Sequence, residues 1–142
     1  MLSYSVVIPS YLRSELIKLT LESILAQDKK PLEIIIVDNN VLESESELLK
    51  SLIVKTKQDV CPIKIIKTPK NSGAIARYMG ACSSIGDLIL FIDNDVVIES
   101  NYSSELIKDF ELDPDLIGSQ GVDSRRISLE INRKRSSILR KF

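Results

Sequence analysis

The residues best suited to chemistry are Asp93, Asn94 and Asp95, which follow directly on an apolar run, Asp87-Leu88-Ile89-Leu90-Phe91-Ile92. In extended or turning chain, positions i and i+2 project to the same side, so the two carboxylates converge on one point just beyond that run. Two hard oxygen donors suit Mg2+ or Mn2+, which take one or two carboxylates and complete their shell with water and phosphate oxygens. The plainer reading is a capping turn, in which the Asp side chains accept from nearby backbone N–H groups. An EF-hand loop does not fit, because Ile98 stands at the sixth position where the sharp turn needs glycine. Asp38 likewise follows an apolar run, Glu33-Ile34-Ile35-Ile36-Val37, where it can accept a hydrogen bond from a ring N–H or simply end a strand. In Asn71-Ser72-Gly73-Ala74-Ile75-Ala76-Arg77, Asn71 suits a helix cap and Gly73 permits close backbone approach, while Arg77 lies one turn in, within reach of a phosphate or base. A packed helix start with a solvated Arg explains the same residues. Tyr11 offers a ring for stacking on a base or for filling a core. Neither GxGxxG nor GxxxxGK[ST] occurs, which argues against a dinucleotide fingerprint and a P-loop.

These residues need a scaffold, and the apolar pattern supplies one. Tyr4-Ser5-Val6-Val7-Ile8 and the runs at 33–37 and 87–92 read as buried strands, with Ile63-Lys64-Ile65-Ile66 a weaker fourth. Between them, Ile17, Leu21, Ile24 and Leu25 repeat at helical spacing within 14–27. A second helix is expected over 43–57 with Leu48, Leu49, Leu52 and Ile53 inward, and a third over 72–84. Strands alternating with helices imply parallel pairing through right-handed crossovers, hence a three-layer αβα domain with a mainly parallel sheet. In such sheets ligands bind at the carboxyl ends of the strands, which is where Pro9, Tyr11, Asp38 and the Asp93/Asp95 pair all fall.

Composition narrows the chemistry. The 142 residues are 44% hydrophobic and 27% charged with only 5 Gly and 5 Pro, which suits one folded domain. No histidine is present, so imidazole bases, Ser-His-Asp and Cys-His arrangements and imidazole-based zinc sites are excluded, and acid-base or metal work falls to carboxylates. Cys61 and Cys82 are 21 residues apart, a spacing that indicates neither a disulfide framework nor a thiolate cluster. Residues 1–124 carry 12 Lys+Arg against 19 Asp+Glu, while 125–142 carry 7 against 1. The acidic body argues against nucleic-acid binding. The basic tail at 125–142, with apolar residues interspersed, reads as a solvated helix or the start of a further segment, and peripheral contact with an anionic membrane is the functional alternative. With no secretory signal pattern and no run near the ~18 apolar residues of a membrane span, a cytoplasmic setting is expected, with the inner membrane face open to the tail.

Taken in order, SVVIPSY, LESILAQ, EIIIVDNN, KNSGAIARYMGA and GDLILFIDND resemble the family 2 glycosyltransferases, over roughly Ser5 to Glu99. The resemblance implies the GT-A nucleotide-diphospho-sugar transferase fold and inverting transfer of a sugar from a UDP- or GDP-sugar, with Mn2+ or Mg2+. It implies that Pro9 and Tyr11 line the nucleotide pocket, that Asp38 binds the base and Arg77 the base or phosphates, and that Asp93 and Asp95 form the DxD serving ribose and metal. Asn71 and Gly73 join the donor-binding set.

Two departures qualify the resemblance. Tyr78 stands where the family usually has Asn after the Ala-Arg pair, which bears on donor identity. The family places its catalytic base and acceptor site in a second half, whereas this sequence ends 47 residues after Asp95. None of Asp109, Glu111, Asp113, Asp115 and Asp123 matches that base. The reading is a donor-binding part, 1–124, of such a transferase, either truncated, a fragment or a natural short relative, with its tail at 125–142, acting on an unknown glycan, lipid or protein acceptor and open to homo-oligomerisation through exposed sheet. The alternatives are a nucleotide-sugar-binding module without transfer and a haloacid dehalogenase-like phosphatase using Asp93 as nucleophile.

Overall fold

Strand β1 (Tyr4–Ser10) lies between β2 (Glu33–Asp38) and β4 (Leu88–Phe91), and β3 (Ile63–Lys67) lies outside β2, giving a parallel sheet of order β3-β2-β1-β4. This computed structural model describes residues 2–56 and 60–122, together with the backbone pairing of residues 139–140. The basic tail lies outside the described residues except for that pairing, in which β6 (Leu139–Arg140) runs antiparallel to β5 (Leu116–Gly118).

Helices α1 (Ile17–Leu25), α2 (Glu43–Val54) and α4 (Tyr102–Leu112) are amphipathic, and each turns its apolar stripe to one face of the sheet. There Ile17, Leu21, Ile24, Leu49, Ile53 and Ile107 pack with Val6, Ile8, Ile34 and Ile36. Helix α3 (Gly73–Cys82) covers the opposite face, where Ala76 meets Val7, Ile35 and Val37. The three expected layers are therefore present. Residues 14–16 form a short 3-10 turn ahead of α1, and the second helix stops at Val54. Helix α4 was not read from the pattern, because its apolar residues are diluted by charge.

The run at 87–92 departs from expectation. Of its four paired residues, Leu88 and Leu90 are half-buried while Ile89 and Phe91 are 38% and 45% exposed. The cause is topological, since β4 is an edge strand among the described residues, paired with β1 alone. By contrast β2 is buried at every position, as a central parallel strand should be.

Candidate functional site

The carboxyl ends of β1, β2 and β4 sit side by side, as the register dictates. Ser10 is opposite Asp38, and Val7 is opposite Phe91, so the segments leaving all three strands share one rim.

At the β4 exit, Asn94 is buried between two exposed aspartates. Its amide donates to Ser10 Oγ at 3.3 Å and to the Leu12 carbonyl at 3.0 Å, while its own carbonyl accepts from Thr20 Oγ1 at 3.0 Å. Pinning the middle residue inward turns its two neighbours outward. Their carboxylates do not cap the turn; each faces an arginine. Asp93 Oδ1 accepts from Arg77 Nη2 at 2.6 Å and Asp95 Oδ2 from Arg13 Nη1 at 3.1 Å. Arg77 comes from α3 on one face of the sheet, and Arg13 from the loop entering α1 on the other. All four side chains are substantially exposed, so each pair contributes only ~0–1 kcal/mol and is readily exchanged.

At the β2 exit the geometry is enclosed. The Asp38 side chain is 1% exposed. Its Oδ1 accepts from the Asn40 backbone N–H and from Asn40 Nδ2 at 3.0 and 2.9 Å, and Oδ2 from Lys67 Nζ at 3.0 Å. Lys67 also donates to the Asn40 carbonyl and to Ser46 Oγ. Burial alone would raise the Asp38 carboxyl, but hydrogen bonding from Ser46, Asn40 and Lys67 outweighs it and holds the group below its ordinary value. Asn40 Oδ1 in turn accepts from the Leu12 N–H at 2.6 Å. A continuous chain of hydrogen bonds thus runs from Asp38 through Asn40 and Leu12 to Asn94.

That chain clamps an unusual backbone. Leu12 and Arg13 are consecutive non-glycine residues at φ 54° and 51°. Left-handed backbone costs a non-glycine residue roughly 1–2 kcal/mol, so it persists only where the surroundings over-determine it. Sequence reasoning missed Arg13 and Lys67 at the rim, and gave Asn39, Asn40 and Asn94 no role there. Two polar residues after the β2 aspartate were the one available signal.

The α3 entrance also differs from expectation. Ser72, not Asn71, is the cap, its Oγ accepting from the Ile75 N–H at 3.4 Å. Asn71 Oδ1 instead accepts from Asn39 Nδ2 at 2.7 Å, and Asn39 Oδ1 takes the Ser72 N–H at 2.9 Å, tying the helix start to the end of β2. A Cβ at Gly73 would meet Arg77 Nη1 at 3.4 Å, an ordinary contact. Gly80 is the residue that allows close packing, since a Cβ there would lie 2.3 Å from Val7 Cγ1. Pro9 is half-buried beside Val37, and Tyr11 is 43% exposed at the rim.

For a divalent cation, the donor set is two solvent-facing carboxylates, and no cluster of three or more Asp, Glu, Cys or His exists among the described residues. That set fits Mg2+ or Mn2+ completed by phosphate oxygens and water, and does not fit a closed cage supplied by protein alone.

A parallel α/β sheet with acidic and basic groups at its carboxyl rim defines a ligand-binding domain of the open-sheet class. Its family follows from comparison: the Glycosyl transferase family 2 profile matches residues 5–141, and the chain belongs to that family. An uncharacterized glycosyltransferase of Haemophilus influenzae is 29% identical over 113 residues, covering 79% of this chain and 36% of that protein. S. aureus TarS 1-349 in complex with UDP-GlcNAc superposes with TM-score 0.64 at 24% identity over 87% of this chain and 36% of that one. The mannosyltransferase PcManGT of Pyrobaculum calidifontis, in complex with GDP-Man and Mn2+, gives TM-score 0.72 at 19% identity over 88% and 36%. The fold is thus that of the GT-A glycosyltransferases, and the family assignment removes the phosphatase reading. The chain spans about a third of the length of these relatives.

Proposed function

We propose that this chain is the donor-binding part of an inverting glycosyltransferase that takes a sugar from a UDP- or GDP-sugar. The carrying observation is the rim pair: Asp93 and Asp95 turned outward by the buried Asn94, each countered, among the described residues, by one exposed arginine. Asp93 and Asp95 would hold Mn2+ or Mg2+, with Asp95 the direct ligand and Asp93 shared with the ribose. When bound, the cation acts as a Lewis acid on the departing diphosphate. Arg77 would meet the base or phosphates. Pro9, Tyr11 and Asp38 would form the base pocket, with Asn71 and Gly73 beside it; a lone pair on Asp38 Oδ2 becomes available to a ring N–H if Lys67 swings out. The neighbours solved with UDP-GlcNAc and with GDP-Man and Mn2+ support this reading.

Binding without transfer has a specific observation behind it. Helix α4 starts beside the end of α1, with the Ser103 N–H on Gln27 Oε1 and Ser103 Oγ on the Lys29 carbonyl, at the end of the sheet opposite the rim. Asp109 accepts from Ser119, and Asp113 from the Asp115 N–H. Asp109 and Asp113 are thus engaged in local hydrogen bonds at the end of α4 and the turn after it, and Asp123 lies outside the described residues. A complete transferase would draw its base from elsewhere.

Calorimetric titration with UDP-, GDP- and dTDP-sugars, with and without Mn2+, tests the proposal. Metal-dependent binding of at least one donor, weakened about tenfold or more in Asp95→Ala, is expected from loss of a charged ligand. Binding that ignores both metal and substitution rules out the DxD role.

A further inference from the structure

The proposed site leaves one cation without a task. Arg13 is held on a left-handed backbone by hydrogen bonds from three directions. Asn40 at the β2 exit takes the Leu12 N–H, Asn94 at the β4 exit gives to the Leu12 carbonyl, and the Leu16 N–H donates to the Arg13 carbonyl at 3.0 Å. Such a clamp is out of proportion to the solvent-exposed ion pair it produces. What it secures is position: a guanidinium within 3.1 Å of Asp95, on the side of the rim opposite Arg77.

We infer that Arg13 is an exchanging counter-ion that couples cation binding to nucleotide binding. The inference rests on the proposed metal and donor site. Without ligands, two aspartates and two arginines sum to zero charge. A cation arriving alone must displace Arg13 from Asp95 and leave a guanidinium unpaired; a diphosphate arriving alone meets carboxylates. When both arrive, Asp95 turns to the cation and the freed Arg13 fork turns to the diphosphate, so every charge regains a partner. Each ligand then strengthens the other, and by linkage the factor is the same in both directions. Arg13 is a positioning residue in this scheme, separate from the chemistry at the sugar.

The test is Mn2+ titration followed by electron paramagnetic resonance, alone and with saturating UDP or GDP, on wild type, Arg13→Ala and Arg13→Lys. Thermal unfolding verifies that each variant folds. Arg13→Ala should bind Mn2+ alone several-fold more tightly than wild type, because Asp95 is no longer occupied. It should bind the nucleotide about tenfold more weakly in the presence of Mn2+, so that the coupling factor collapses; Arg13→Lys, which keeps charge without the fork, should fall between. Folded Arg13→Ala with wild-type values in both titrations overturns the exchange while leaving the metal site intact. Wild type that takes up no Mn2+, with or without nucleotide, overturns the metal site and the exchange together.

Discussion

Asp38 shows how one buried carboxylate can serve both stability and site geometry. It holds Asn40 and Lys67, and Asn40 holds the backbone that carries Arg13. Glu33, at the other end of β2, is similarly enclosed, accepting from Lys64, Ser5 and the Ile85 N–H. Burial would raise both carboxyls, but their hydrogen bonds and lysine partners prevail, holding both below the ordinary carboxylate range. Groups whose folded values are depressed contribute stability in full above the unfolded values and lose it as pH falls through the folded ones. Stability should therefore be flat near neutrality and drop below about pH 4, as read from urea midpoints across a pH series. Glu33→Gln should flatten that acid limb. Asp38→Ala should cost about 1–3 kcal/mol, because the Asn40 amide and Lys67 lose their acceptor. Asp38→Ala with an unchanged urea midpoint would show that the buried acceptor carries no stability.

Among the elements, α3 is the one whose closeness to the sheet sets the site. Gly80 lets it approach Val7, which brings Arg77 to Asp93 and Ser72 to Asn39. Gly80→Ala forces a methyl into Val7 and should destabilise by about 1–3 kcal/mol, as overpacking does, and weaken donor binding by shifting Arg77. Gly73→Ala, in ordinary contact only, should leave the thermal midpoint within a degree or two. No loss in Gly80→Ala, or a gain in both variants as the better helix propensity of Ala would give, would mean that contact with Val7 does not govern the position. Strands β1 and β2 and helix α1 were legible in sequence because they carry apolar runs or a clean helical stripe. The cap was misread by one residue, since Asn71 and Ser72 are both good caps and only the partner Asn39 decides between them. The Arg13 loop was illegible for a physical reason. Its conformation depends on Asn40 and Asn94, distant in sequence, and neither Leu12 nor Arg13 is a residue type that advertises left-handed backbone.

For the whole molecule, the exposed side of β4 is the feature that predicts behaviour in solution. Its outer edge has no strand partner among the described residues, Ile89 and Phe91 face outward, and a groove of about 470 Å³ beside it is lined by Leu106, Phe110 and Ile117 as well. Unpaired edges next to apolar side chains template pairing with another chain. Such pairing also protects backbone groups that water satisfies only partly in an apolar setting. The chain as given should therefore associate through this side, and multi-angle light scattering should report a mass above the 15.9 kDa monomer that rises with concentration. Phe91→Lys places a charge on that edge. It should reduce the association while leaving thermal stability nearly unchanged, because the ring is already 45% exposed and contributes little to the core. A mass fixed at the monomer value across a hundredfold range of concentration would show that the edge is silent in solution, and that the exposed apolar residues here are no more than the scattered ones every surface carries.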